Sequence, residues 1–181
     1  GISGLLAAIK LSERYSVTIL SKSSLSDCST AWAQGGIAAV IDNKDNINNH
    51  IKDTINNGHE ICNPKSVHQI IKQGKDSIDL LLEYGVNFNK KGKGLDQTLE
   101  GGHSHRRIIY HNDNTGEEIH SSLLREARKK KNIIIRENIM VIDMIGKKDN
   151  YCEGVYAYDK RNNNVISIKA NIIILATGGA S

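Results

Sequence analysis

Gly1-Ile2-Ser3-Gly4 is a segment whose residue types could serve a bound ligand. Its two glycines have the spacing of the last two glycines in G-x-G-x-x-G, the dinucleotide-binding pattern, and an apolar stretch follows them. In that pattern one glycine lets backbone approach a pyrophosphate, and the next lets a helix pack closely against a strand. An isolated G-x-x-G is more often an ordinary turn before a helix. These four residues are candidate cofactor contacts.

The strand predicted next along the chain ends in Ser21 and Lys22. In the nicotinamide-binding pattern an acidic side chain at this place binds the ribose hydroxyls. The Ser21 hydroxyl could still hydrogen-bond a ribose, and the Lys22 ammonium could neutralise a phosphate. The missing acid makes nicotinamide binding the less favoured interpretation.

A second segment covers residues 29 to 38 and reads Ser-Thr-Ala-Trp-Ala-Gln-Gly-Gly-Ile-Ala. It resembles the flavin-contacting segment of the flavoprotein family that includes succinate dehydrogenase, fumarate reductase and L-aspartate oxidase. Small side chains and paired glycines let backbone amides reach a flavin and its pyrophosphate. The structural alternative is a tight Gly-Gly turn. The resemblance implies FAD contacts from Ser29, Thr30, Ala31, Trp32, Ala33, Gln34, Gly35 and Gly36.

The same segment bears on how the flavin is held. In the membrane-associated members of the family, a histidine ahead of the threonine is the covalent attachment point for FAD. This chain has Ser29 at that place. The resemblance therefore implies noncovalent FAD.

A third segment, Glu100 to Ile108, combines an acid, two glycines, two histidines and two arginines. The H-x-H spacing of His103 and His105 puts two imidazoles on one face of a strand, which is a possible metal pair, but no third ligand cluster accompanies it. Alternatively, Arg106 and Arg107 offer fixed positive charge to an anionic substrate or to reduced flavin.

The first residues of this segment are similar to the Glu-Gly-Gly-His-Ser motif of the L-aspartate oxidases, where the fumarate and succinate enzymes usually have Phe before the glycines. An amino acid differs from succinate by its ammonium group, which a carboxylate at Glu100 could orient. The resemblance thus implies that Glu100 binds substrate. The alternative is an acid in a surface loop.

A fourth segment closes the sequence, where an apolar run breaks into Ala176, Thr177, Gly178 and Gly179. It resembles the A-T-G-G element that returns to the FAD in two-part flavoprotein folds. The resemblance also assigns FAD contacts to Met140 and Val141. Without the resemblance, an apolar run that breaks into Thr-Gly-Gly is a common strand-to-turn junction.

Hydrophobic periodicity predicts the elements that position these segments. Helices are predicted at Leu5–Leu11, at Asn46–Asn57, from Pro64 to near Gly85, and at about Glu117–Lys130. Strands are predicted at Val17–Ser21, Ile133–Ile135, Val141–Ile145, Gly154–Tyr158, Val165–Lys169 and Ile172–Leu175, with a hairpin turn at Lys160–Asn163. We expect an α/β, Rossmann-like FAD-binding domain with a mostly parallel sheet and a small antiparallel excursion.

Composition narrows the class of protein further. The 181 residues are 39% hydrophobic and 24% charged, which excludes a disordered polymer. The net charge of +4 does not demand a nucleic-acid or membrane partner, and no apolar run approaches the roughly 20 residues of a membrane span. The three cysteines are odd in number and widely spaced, so we expect a reducing cytoplasm.

The resemblance implies FAD-dependent oxidation of L-aspartate to iminoaspartate, with oxygen or fumarate as electron acceptor. That is the first step of de novo NAD biosynthesis, and quinolinate synthase uses the unstable product. Residues 1–181 would be the N-terminal part of the FAD-binding domain, cut at both ends and inactive without the capping and helical domains. A soluble fumarate reductase of the same family and a noncatalytic binding protein are the alternatives.

Overall fold

The computed structural model describes residues 1–59, 61–146 and 151–179. The chain divides into two compact units, which are described separately: unit 1 is Gly1–Ala31 with Leu123–Ser181, and unit 2 is Trp32–Ser122. None of the helices in the described ranges is long and apolar enough to cross a membrane.

Six helices and ten strands follow one another along the described chain. The helices are α1 (Ile2–Leu11), α2 (Ser29–Trp32), α3 (Ile47–Asn57), α4 (Pro64–Lys72), α5 (Gly74–Glu83) and α6 (Thr115–Lys129). The strands are β1 (Val17–Ser21), β2 (Ile37–Ala38), β3 (Lys90–Lys91), β4 (Gly94–Leu95), β5 (Gln97–Thr98), β6 (Ile108–Ile109), β7 (Ile133–Glu137), β8 (Ile139–Gly146), β9 (Cys152–Asp159) and β10 (Asn164–Lys169).

Unit 1 contains helix α1, most of α2, the second half of α6 and two sheets. Helix α1 buries Leu5, Ala8 and Ile9, which lie on one face because they are three and four residues apart. Strand β1 pairs with β7 in parallel, from Val17 opposite Ile133 onward. Strands β8, β9 and β10 form an antiparallel sheet in the order β10-β9-β8.

Unit 2 packs helices against small antiparallel sheets, with strand order β2-β6-β5 in one and β3-β4 in the other. Helix α3 begins where the Asn46 side chain accepts a hydrogen bond from the Asn49 amide. Helix α4 begins where the Asn63 side chain accepts from two amides of the first turn, with Pro64 at the first helical position. The buried apolar residues of unit 2 include Ile71, Ile78, Leu81, Val86, Phe88, Ile108 and Ile109.

The α/β class of fold, with a parallel sheet and an antiparallel excursion, is confirmed. Antiparallel pairings nevertheless outnumber the single parallel pairing of β1 with β7 among the described strands. The predicted helix at residues 46–57, the strand at residues 17–21 and the hairpin between β9 and β10 are all present.

Two predicted elements are wrong. The single helix expected from Pro64 to Gly85 is two helices joined at Gln73. Gly74 lies there against Ala39, so that an added Cβ would be 3.4 Å from the Ala39 Cβ. Residues 172–175 form no strand, because no described strand pairs with their backbone.

Candidate functional site

The start of helix α1 gathers the first and second sequence segments within unit 1. The Ile2 amide donates to Thr30 Oγ1 over 3.1 Å, and the Leu5 amide donates to the Gly1 carbonyl over 3.2 Å. The amides of Ser3 and Gly4 lie between these two, at helix positions that have no acceptor inside the helix. Such a helix start suits an anionic group such as a phosphate.

The two glycines at this helix start allow close approach. A Cβ on Gly1 would lie 2.8 Å from Thr30 Oγ1, which is too close without movement. A Cβ on Gly4 would lie 3.5 Å from the Ala176 Cβ, so the fourth sequence segment passes beside the first. Thr177 and Gly178 follow directly and are exposed.

The other candidate residues of unit 1 lie on strands or just beyond them. Ser21 ends β1 opposite Glu137, and Lys22 follows as an exposed side chain. The ends of parallel strands are where open α/β sheets bind ligands. Met140 and Val141 lie on β8 and are 40% and 41% exposed. Their roles as FAD contacts stay predictions, as do those of Ser29 and Ala31 in α2.

A cavity of about 400 Å³ in unit 2 joins the second and third sequence segments. Gly35 and Glu100 both line it, and a Cβ on Gly35 would lie 3.9 Å from Glu100 Oε1. The lining residues are Gln34, Gly35, Gly36, Thr98, Glu100, Tyr110, Asn112 and Asp113. Trp32 is 75% exposed, and the Ala33 carbonyl accepts from the Gly116 amide at the start of α6.

The paired glycines of this segment have different surroundings. A Cβ on Gly36 would overlap the Ile109 carbonyl oxygen and would lie 2.5 Å from Ile108 Cγ2. Gly36 therefore allows the next residue, Ile37, to pair with Ile109 in the β2-β6 ladder. Gly35 has room for a Cβ and faces the cavity. The structural alternative, a tight Gly-Gly turn, thus explains the glycine at position 36 but not the one at position 35.

The cavity lining is acidic. Glu100 and Asp113 contribute carboxylates, whereas no Lys or Arg is among the described residues that line it. The Tyr110 hydroxyl donates to Asp96 Oδ2 over 2.7 Å, and this hydrogen bond raises the pKa of Tyr110, so the phenol stays protonated. The lining therefore suits a ligand group that is cationic and donates hydrogen bonds.

Behind Glu100, the third segment is held by an ion network centred on Arg107, whose side chain is fully buried. Its Nε donates to Asp45 Oδ2 over 2.6 Å, and its Nη2 donates to Asp45 Oδ1 over 3.1 Å. Its Nη1 lies 2.6 Å from Asp53 Oδ2 and 3.1 Å from His103 Nδ1. Because a guanidinium only donates, His103 Nδ1 accepts and the ring proton sits on Nε2.

The network favours the charged forms of its acids. Burial alone would raise the pKa of Asp53, but hydrogen bonds from the Ser104 amide and hydroxyl and from Arg107 lower it to about 2. Burial alone would also raise the pKa of Asp45, but hydrogen bonds from Arg107 and from the Asn46 amide lower it. Burial and the nearby Arg107 charge lower the pKa of His50, whose buried ring lies 5.6 Å from that of His103.

These contacts bear on the interpretation of Arg107 as a charge offered to a ligand. Arg107 is not a free positive charge for a ligand, because Asp45 and Asp53 take up its donors; that prediction is wrong for Arg107. His105 Nδ1 lies 2.9 Å from Ser104 Oγ. Within the described ranges, no group of three His, Cys, Asp or Glu side chains could hold a metal ion.

Sequence analysis missed Asp45 and three residues of α3, namely His50, Asp53 and Asn57. The α3 residues are three and four positions apart and therefore share one helix face. That spacing is the sequence signal that could have identified these residues. It does not single them out, because a polar face on a helix is ordinarily solvated. Their partners are about 45 to 54 residues away along the chain.

Comparison with known proteins places the whole chain in one family. Residues 1–181 match the FAD binding domain family. L-aspartate oxidase from Acinetobacter baylyi is 41% identical over 99% of the chain and 35% of its own length, and that from Pseudomonas aeruginosa is 36% identical over 100% and 36%. The Mycobacterium smegmatis Sdh1 complex has a TM-score of 0.90, with 27% identity over 99% of this chain and 33% of the other.

The fold and these matches define an FAD-binding domain of the flavoprotein type, and the chain belongs to the FAD binding domain family. Its cofactor is FAD. The resemblance to L-aspartate oxidases is confirmed along the full chain, which spans about a third of the length of these curated relatives.

The residues at the start of α1 fit FAD. In unit 1 the amides at the start of α1 can receive a pyrophosphate, and Gly1 keeps this helix start close to Thr30. In unit 2 a Cβ at position 35 would lie 3.9 Å from Glu100 Oε1, so glycine leaves that part of the cavity open. FAD carries out the redox chemistry, while the protein binds and orients the reactants.

Proposed function

We propose that the whole protein is an FAD-dependent L-aspartate oxidase, which converts L-aspartate to iminoaspartate with oxygen or fumarate as electron acceptor. The observation that carries the proposal is the position of Glu100 on an acidic cavity beside Gly35. A dicarboxylate without an ammonium group gains nothing from a carboxylate there. The identity to L-aspartate oxidases over the whole chain supports the same substrate.

Glu100 binds and orients the ammonium group of aspartate in this proposal. A charge-assisted hydrogen bond contributes roughly 1.5–3 kcal/mol, which corresponds to about 10- to 150-fold in affinity. Asp113 adds a second negative charge to the same lining. Bound in this way, the substrate presents its Cα to FAD in a fixed orientation, which is where the protein contributes to rate.

FAD binds noncovalently, because Ser29 offers no imidazole for attachment. Gly1 to Gly4 and Thr30 are assigned to the pyrophosphate, and residues Trp32 to Gly36 to the flavin. Ser21, Lys22, Met140, Val141 and the segment from Ala176 to Gly178 are assigned to the remainder of the cofactor.

The chain spans about a third of the length of the L-aspartate oxidases. In this proposal other parts of the whole protein supply the remaining catalytic groups, and residues 1–181 alone are inactive. The product enters NAD biosynthesis, where quinolinate synthase consumes it. The protein acts in the cytoplasm.

The test is anaerobic mixing of the full-length, FAD-loaded protein with L-aspartate. We expect the flavin to be reduced, and peroxide to form when oxygen is admitted. Glu100→Gln should raise the KM for aspartate by about 10- to 150-fold, whereas the control Glu83→Gln, at the exposed end of α5, should not. A flavin that aspartate leaves oxidised, but that fumarate reoxidises rapidly after chemical reduction, would identify a soluble fumarate reductase. A protein that binds no FAD would be a noncatalytic binding protein.

A further inference from the structure

We infer that helix α3 positions the substrate-binding carboxylate, and that Asn57 and Asp53 are the positioning residues. This inference rests on the proposed function of Glu100. Neither residue lines the cavity. Both act on the turn that follows Glu100, and so determine how well the protein distinguishes an amino acid from a dicarboxylate that lacks the ammonium group.

Glu100 is the first residue of a tight turn. The His103 amide donates to the Glu100 carbonyl over 3.2 Å, which closes the turn. Gly102 has a φ of +84°, the conformation that the third residue of a type II turn requires. The direction in which Glu100 leaves the backbone is therefore linked to the geometry at Gly102.

Asn57 contacts this turn directly. Its Nδ2 donates to the Gly102 carbonyl over 2.7 Å and to the Asp53 carbonyl, one turn earlier in α3, over 2.8 Å. A Cβ on Gly102 would lie 2.8 Å from Asn57 Oδ1. One side-chain amide thus joins the end of a rigid helix to the middle of the turn.

Asp53 holds the chain just beyond the turn. Its Oδ2 accepts from the Ser104 amide over 2.8 Å, from the Ser104 hydroxyl over 2.7 Å and from Arg107 Nη1 over 2.6 Å. Burial of Arg107 makes this arrangement rigid, since its donors have no access to water.

The loop between β5 and β6 is therefore fixed at both ends. At its base, Thr98 pairs with Ile108; at its tip, α3 holds Gly102 and Ser104. Glu100 lies between these two attachments. Without the contacts at the tip, only the base would restrain the carboxylate, and its alignment with an ammonium group would be lost.

Asn57→Ala in the full-length, FAD-loaded protein tests this role, because Asn57 is exposed and its loss leaves the Arg107 network intact. Loss of the hydrogen bond from Asn57 to the turn should raise the KM for aspartate roughly 3- to 10-fold. The inhibition constant of succinate, which has no ammonium group, should change less than about 2-fold. Asn56→Ala, the same change at the adjacent exposed position, should alter neither constant.

A double-mutant cycle separates positioning from a general structural effect. If Asn57 acts through Glu100, then Asn57→Ala in a Glu100→Gln background should leave the KM for aspartate where Glu100→Gln alone sets it. Equal changes for aspartate and succinate, additive effects in the cycle, or no change at all would overturn the inference. Wild-type protein that fails to oxidise aspartate would instead overturn the proposed function itself.

Discussion

Replacing Asp53 by Asn should make the protein less stable and should weaken the dependence of its stability on acid pH. Hydrogen bonds from Ser104 and Arg107 hold the pKa of Asp53 at about 2, below its ordinary value of 3.8. A carboxyl group of this kind stabilises the fold above its unfolded pKa and loses that effect as pH falls through the folded value. At about 1.4 kcal/mol per pKa unit, the difference amounts to about 2.5 kcal/mol near neutral pH.

Urea unfolding followed by circular dichroism at a series of pH values measures this effect. The free energy of unfolding of wild type should exceed that of Asp53→Asn by about 2.5 kcal/mol near pH 6, and the excess should shrink steadily below about pH 4. Asp76→Asn, which removes an exposed carboxylate from the first turn of α5, is the matched control. If wild type and Asp53→Asn differ by the same amount at every pH, the carboxylate charge is not the cause and the reasoning is refuted.

Three further pairs of substitutions test other parts of the two units. Gly36→Ala should destabilise the fold by about 1–3 kcal/mol because its Cβ overlaps the backbone of β6. Gly35→Ala should leave the melting temperature unchanged and weaken FAD binding in a flavin titration. The reverse pattern would contradict the structural role given to Gly36 and the ligand-binding role given to Gly35. Thr30→Val removes the acceptor for the Ile2 amide and should weaken FAD binding about 2- to 12-fold, an effect that Thr30→Ser should not share. Gly102→Ala should raise the KM for aspartate because φ at that position is +84°. Gly101→Ala should not raise it, because a Cβ there meets open space. Equal effects of the two substitutions would show that the turn geometry at Gly102 does not control aspartate binding.

Sequence analysis succeeded where the signals are local. The cap at Asn46, the apolar spacing of α3 and Gly58 define that helix almost to the residue, because capping and periodicity act within one or two turns. The hairpin between β9 and β10 was equally local. The expected long helix is two helices joined at Gln73. The adjacent Gly74 packs against Ala39, 35 positions earlier in the chain, and such a contact leaves no periodic signal in the sequence.

Sequence motifs singled out residues that line the cavity, among them Gly35 and Glu100, but not the residues that hold the loop beside it. Glu100 and Gly35 belong to short motifs whose chemistry can be reasoned residue by residue. Asp53 and Asn57 carry no such motif, because a helix presents polar side chains to solvent in most proteins. Only the fold, which places the loop after β5 against α3, turns that polar face into a support.

The two Gly-Gly pairs show why a motif alone cannot separate fold from function. In each pair one glycine is required by backbone geometry: Gly36 by its contact with β6, and Gly102 by its positive φ. Each partner, Gly35 or Gly101, could carry a Cβ without a steric clash. If glycine is required at position 35, the requirement must come from the bound ligand. At position 36 glycine is required by the backbone even when no ligand is bound. Substitutions of Gly35 therefore probe ligand recognition, whereas those of Gly36 and Gly102 probe the backbone geometry on which recognition depends.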